Sequence, residues 1–298
     1  MVHAFSGIHV AALMIPALWG LYWVPLRALD SVAASGPWAT LAAVAVALVV
    51  TAPFAWRERA RIRATHRGAL VSTLLGGVSF VLYSNGILYG HIATVILLFY
   101  LTPIWSLLLT RIWFGWPASA WRYAAIAMGL GGIMLVLAGG HGGLPLPTGM
   151  GDWFGLLSGL LWAVSSTGLR TSVRTGGGAT NFVFCVGGAV GALAIAAALG
   201  GAPPAVPAGA WLEAAAWLAV LGVGWWGISL AVFMWAAQRI DPTRLGILMM
   251  TEAIVGTLSA ALFTSEPFGW QIGAGAVLVV GAAVLEARHD PLAGSAGA

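Results

Sequence analysis

The sequence predicts an all-α integral membrane protein of ten transmembrane helices, built as two inverted five-helix repeats. Three observations predict it. Hydrophobic residues make up 60% of the 298 positions and charged residues only 7%, against roughly 25% in an ordinary soluble domain. The apolar runs recur at about the 20 residues that a bilayer-crossing helix needs. Residues of the first half also reappear in the second at a nearly constant offset. The same composition excludes a cytosolic enzyme and a disordered chain.

Apolar runs separated by short charged or Gly/Pro-containing stretches place spans at 8–29, 35–56, 68–89, 92–111, 121–139, 152–172, 180–200, 211–236, 243–264 and 268–286. Residues 1–9 lack a basic region and the first apolar stretch runs on as a full span, so no cleavable signal peptide is expected there. This first span carries Trp19 and Tyr22, three apart. Between the second and third spans lies the basic run Arg57 to Arg67, most simply an anchor at anionic lipid headgroups. The third span holds Ser79, Tyr83, Ser84 and Asn85, with Ser79 and Tyr83 on one helical face. The fourth holds Tyr100 and Thr102, then Pro103, a predicted helix break because proline has no N–H to donate. The two longest outer loops, around 139–151 and 200–210, are rich in Gly and Pro and read as turns over the membrane surface.

The sixth span opens the second half with Gly155 and Gly159, then Ser158, Trp162, Ser165 and Ser166. The seventh carries Gly187, Gly191 and the lone cysteine, Cys185. Small residues four apart let helix backbones approach, so these glycines are expected to serve packing. In the ninth span, Glu252 is the one acidic residue placed deep in the membrane. A charge at that depth costs roughly 2.5–3.5 kcal/mol on insertion scales, so it should face the bundle or a wet cavity.

Two repeats account for the pattern. Trp19, Leu26 and Arg27 match Trp162, Leu169 and Arg170 at an offset of 143. Thr94, Thr102, Trp121 and Gly132 match Thr243, Thr251, Trp270 and Gly281 at an offset of 149. The repeats are expected over 1–146 and 147–298, forming one transport domain. Five spans per unit is odd, so the second copy enters the membrane upside down. Inverted repeats recur in secondary transporters, with the substrate site where the halves meet.

Orientation follows from arginine, since the chain has 13 Arg and no Lys. With the N-terminus inside, twelve fall on the cytoplasmic side, and only Arg27 falls outside. Both termini are therefore expected in the cytoplasm of a multi-pass protein of the bacterial inner (plasma) membrane. Partners are expected to be the lipid bilayer and a small-molecule substrate, with no nucleic acid, in a monomer or weak oligomer.

Two stretches carry a family resemblance: LYSNGILYGHIATVILLFYLTPIWSLLLTRIW in the first half and MWAAQRIDPTRLGILMMTEAIVGTLSAALFTSEPFGWQIGAGAVLVVGAAVL in the second. They resemble EamA-type members of the drug/metabolite transporter superfamily, closest to bacterial amino-acid and metabolite exporters such as the YddG-like aromatic amino-acid exporters. The resemblance covers nearly the whole chain and implies ten spans and export. The acidic-basic pair that often ends the family's fourth span is replaced by Gly115-Trp116-Pro117, and its counterpart keeps only Glu266 before Pro267.

A substrate cavity is expected from Trp19, Tyr22, Ser79, Tyr83, Asn85, Tyr100, Trp162, Ser165 and Glu252. Polar tips on large aromatic faces suit a solute with an apolar body and polar ends. The bland alternative for each residue is a lipid-facing ring or a helix–helix hydrogen bond. No catalytic residue, metal site or cofactor is expected. The six histidines do not pair at helical spacing, and no Walker-type phosphate loop is present. The competing class is an intramembrane enzyme acting on lipid-linked substrates, which would need clustered acids, histidines or a metal.

Overall fold

The computed structural model describes residues 14–33, 36–114, 120–141, 147–172, 175–203, 205–237, 242–264 and 269–288. Among them every regular element is helical. Residues 14–19 form α1, followed by α2 (Trp23–Ala33), α3 (Pro37–Arg57), α4 (Arg59–Ala64), α5 (Arg67–Tyr89), α6 (Ile92–Phe99), α7 (Thr102–Phe114) and α8 (Ala120–His141). The second half runs through α9 (Met150–Ser172), α10 (Gly177–Leu199), α11 (Trp211–Ala219), a π-helical segment (Val220–Ser229), α12 (Leu230–Ala237), α13 (Pro242–Phe263) and α14 (Trp270–Arg288).

Among the described residues four stretches are long and apolar enough by themselves to cross a membrane: α3, α5, α10 and the continuous helix Trp211–Ala236. Where described, the other expected spans are helical too, but over those residues they do not reach that measure, so the count of ten rests on the sequence. In α9 the reason is polarity, because Asp152, Ser158, Ser165, Ser166 and Arg170 interrupt its apolar positions.

Two expected spans are broken. The first is interrupted at Gly20–Tyr22, where the N–H groups of Leu21 and Tyr22 reach back only three residues, to Leu18 and Trp19. Pro25 follows and has no N–H for the carbonyl of Leu21. The fourth breaks at Tyr100–Leu101, between α6 and α7. Pro103 lacks the N–H that would have served the carbonyl of Phe99. The hydroxyl of Thr102 donates to that oxygen instead, at 2.7 Å.

The π-helical segment contains Gly222, Gly224 and Gly227. Its wider register leaves carbonyls to be satisfied from outside, as is common where a π-turn is built into an α-helix. Asn181 of α10 does so, donating through Nδ2 to the carbonyls of Trp226 at 2.7 Å and Gly227 at 3.0 Å.

Packing is most extensive between α5 and α9, α8 and α14, α10 and α3, and α10 and α5. Glycines set the closest approaches. A Cβ on Gly77 would strike the carbonyl of Phe184, and one on Gly187 would strike that of Leu74, so only glycine allows α5 and α10 to touch at this depth. Gly155 and Gly159 likewise lie against Val95 and Phe99 of α6. On the cytoplasmic side expected for it, Glu58 at the end of α3 accepts the N–H of Gly176 at 2.9 Å and so caps α10.

Candidate functional site

Glu252 lies near the middle of α13 and is 1% exposed. Two hydroxyls from the first half hold it. Tyr83 of α5 donates to Oε1 at 2.9 Å, and Tyr100, at the break between α6 and α7, reaches Oε2 at 3.0 Å. The Tyr100 hydroxyl also donates to the carbonyl of Met249. The break positions this group, because Tyr100 caps α6 instead of continuing it and turns its ring toward α13. On the other side α1 meets α13 at glycine: a Cβ on Gly20 would collide with the backbone of Gly256 and with the carbonyl of Glu252.

Beside this clasp lies a second buried network. Tyr22 shares a hydrogen bond of 2.8 Å with Ser84 of α5, and Trp226 of the π-helical segment donates through Nε1 to the Tyr22 hydroxyl at 2.9 Å. The rings of Tyr22 and Tyr83 stack with centroids 6.5 Å apart, which joins the two networks. Trp19 donates to Ser229 at 2.9 Å and Trp23 to Ser259 at 3.0 Å, so the indoles of the first span each find a hydroxyl in the second half.

Aromatic side chains fill the space around these groups. Phe80 touches Trp19, Tyr22, Tyr83, Phe184 and Trp226, the last edge-on at 4.9 Å. Phe99 lies against Tyr83, Tyr100 and Trp162. Phe233 packs on both Trp19 and Trp162, the two tryptophans related by the sequence repeat. Offset and edge-on arrangements such as these suit the ring quadrupoles.

All nine expected site residues are buried, none more than 8% exposed. Trp19, Tyr22, Tyr83, Tyr100, Trp162 and Glu252 come together in this one cluster. The three small polar residues are engaged otherwise. Ser79 donates to the carbonyl of Ser158 at 2.7 Å, pinning α5 to α9. Asn85 spends its Nδ2 on the carbonyl of Val81 in its own helix, while its Oδ1 is buried without a partner. Ser165 sits against Gly76 with its hydroxyl equally unpartnered. Pro103 lies within the first turn of α7, where the helix resumes after the break.

The sequence reading missed Phe80, Phe99, Phe184, Trp226 and Phe233. A phenylalanine in an apolar span carries no polar signal that separates a core position from a lipid-facing one. The indole of Trp226 did carry such a signal, lying in a glycine-rich stretch. Among the described residues, no group of three His, Cys, Asp or Glu is placed to hold a metal ion. Cys185 is buried against Asn181.

One of the comparisons with known proteins gives the class. The model of the EamA-like transporter family matches residues 7–138 and again residues 149–287. One solved crystal structure, described only as that of a protein, aligns with a TM-score of 0.61 at 19% identity, over 95% of this chain and 96% of its own. At that identity it speaks for the fold alone. No curated protein matches the chain.

Proposed function

The chain belongs to the EamA-like transporter family, whose members are membrane transporters of small molecules; on that premise we propose that it moves small organic solutes by alternating access through the Glu252 cluster. Export of aromatic or other amino acids and related metabolites is the specific reading. The observation that carries it is the clasp: a membrane-buried carboxyl of the second repeat held by two hydroxyls of the first. Such a contact breaks and re-forms when the halves rock against each other.

The contacts between halves support the inverted arrangement. Helices that correspond in the two repeats pack on each other: α3 on α10, α6 on α13 and α8 on α14. A pseudo-two-fold axis through the contact centre produces that pairing. The site then lies close to the axis, where a solute is equally reachable from both sides.

The burial of the clasp favours a role for Glu252 in coupling. Its two oxygens meet the hydroxyls of Tyr83 and Tyr100, with no buried cation beside them among the described residues. A proton on Glu252 removes an uncompensated charge from the core. Opening the clasp to water on either side then lets that proton leave or enter.

The deciding experiment is flux in proteoliposomes across a panel of amino acids and amines, with and without an imposed pH gradient. Movement of unmodified solute supports transport, and its absence for every solute of the panel ends this reading. Cysteines introduced at Gly142 and Ala205 are expected to label with membrane-impermeant thiol reagents from outside, while Cys185 resists them. Labelling of the two introduced sites only from the cytoplasm overturns the topology and the inverted repeat together.

A further inference from the structure

We propose that the group recognised by this site is a free ammonium, carried on an aromatic or apolar body, with Glu252 as its anchor. The inference rests on the transport reading above and adds the charge class of the substrate. Its first support is the balance of buried charge. Among the described residues, Glu252 is the buried acid at the aromatic cluster, and none of the Arg or His side chains described is buried. The chain contains no Lys at all. The other buried acid, Asp152, is already engaged, accepting the N–H groups of Thr148 and Gly149 at the start of α9. Among the described residues a carboxylate-bearing solute would therefore meet no buried cation at this cluster, whereas an ammonium would meet its counter-ion.

The second support is the geometry of the clasp. Both oxygens of Glu252 are approached by donors of the opposite repeat. Once Tyr83 and Tyr100 withdraw and the carboxyl has given up its proton to entering water, two acceptor oxygens stand free. The three N–H donors of a primary ammonium replace the tyrosine hydroxyls and bind more strongly, being charge-assisted. The third support is the wall. Tyr83, Phe99 and Trp162 form a connected series of rings beside the carboxylate, and aromatic faces attract a desolvated cation as well as an aromatic body. A zwitterionic amino acid can use the same anchor, but among the described residues its own carboxylate gains no buried cationic partner. The decarboxylated amine is thus expected to bind more tightly than its parent amino acid.

The test is direct binding to the purified full chain in detergent, by scintillation proximity with labelled phenethylamine and competition by unlabelled 3-phenylpropionate and phenylalanine. Phenethylamine is expected to bind at least about tenfold more tightly than 3-phenylpropionate, the gap that one charge-assisted contact produces. Phenylalanine is expected between them. In Glu252→Gln, phenethylamine binding is expected to fall at least about tenfold. The wild-type ranking needs no variant, so a poorly folding Gln protein does not block the test. Equal affinity for the amine and the carboxylate, unaltered amine binding in a folded Gln variant, or no phenethylamine binding at millimolar concentration each overturns the proposal. Transport is judged separately: flux of other panel solutes with this ranking absent refutes ammonium recognition and leaves transport standing.

Discussion

The two hydrogen-bonded networks at the centre of the molecule are built alike and differ in one respect. Tyr22, Ser84 and Trp226 join first-half and second-half helices through neutral groups only. Tyr83, Tyr100, Met249 and Glu252 join them through a group that can gain or lose a charge. The neutral network is closed: the Tyr22 hydroxyl meets both partners, and Ser84 has the carbonyl of Phe80 as a further acceptor at 2.8 Å. It contains no carboxyl, so its hydrogen bonds do not depend on an acid's protonation. The acidic network is centred on a carboxyl whose hydrogen bonding differs between its protonated and ionised forms. Stacked against each other through Tyr22 and Tyr83, the two place a contact indifferent to protonation beside one that depends on it.

The largest expected effect breaks the acidic side. Glu252→Gln keeps the shape and most of the hydrogen bonding but cannot titrate. The variant is expected to lose all pH-gradient-driven accumulation while keeping exchange of solutes that do not need the charge, measured in proteoliposomes against wild type. Wild-type flux that ignores an imposed pH gradient would instead assign Glu252 to shaping the core.

Breaking the neutral side should cost stability rather than coupling. Tyr22→Phe leaves the indole N–H of Trp226 without its acceptor in a buried site, a loss of about 1–3 kcal/mol. The thermal unfolding midpoint in detergent is expected to drop, while the pH dependence of flux per folded molecule stays that of wild type. A changed pH dependence would merge the two networks into one functional unit.

The smallest effect sharpens the comparison at the wall both networks share. Trp162 touches Phe99 of the clasp side and Phe184 and Phe233 of the other. An aromatic contact contributes on the order of 0.5–1.5 kcal/mol beyond area burial. Trp162→Ala is therefore expected to weaken transport of aromatic solutes up to about tenfold relative to small ones such as threonine. Equal losses for both solutes would make Trp162 a packing residue.

Some of this was readable from residue order. Pro103 announced the break that frees Tyr100 from its helix, because a missing N–H is a property of the residue itself. Gly187 announced a close helix contact, because small residues have that effect on any helix pair, but not that its partner is α5. The repeat offset paired Trp19 with Trp162, and Phe233 does lie between them. Asn85 and Ser79 looked equally suited to a cavity, yet they hydrogen-bond to Val81 and Ser158. Which way a polar side chain on an apolar helix turns depends on the neighbour it meets, and the neighbour is remote in sequence.

The sequence by itself determined the class of protein, the helical segments, the repeat and the acid that must be accounted for. Each of these follows from composition, period or a local backbone property. Only the tertiary structure decided that Glu252 is shared between Tyr83 and Tyr100, and that Tyr22 answers to Trp226 across 204 positions of chain. Partners at such separation are selected by how helices cross, and crossing is set by the summed fit of many apolar surfaces, a sum that no single motif carries.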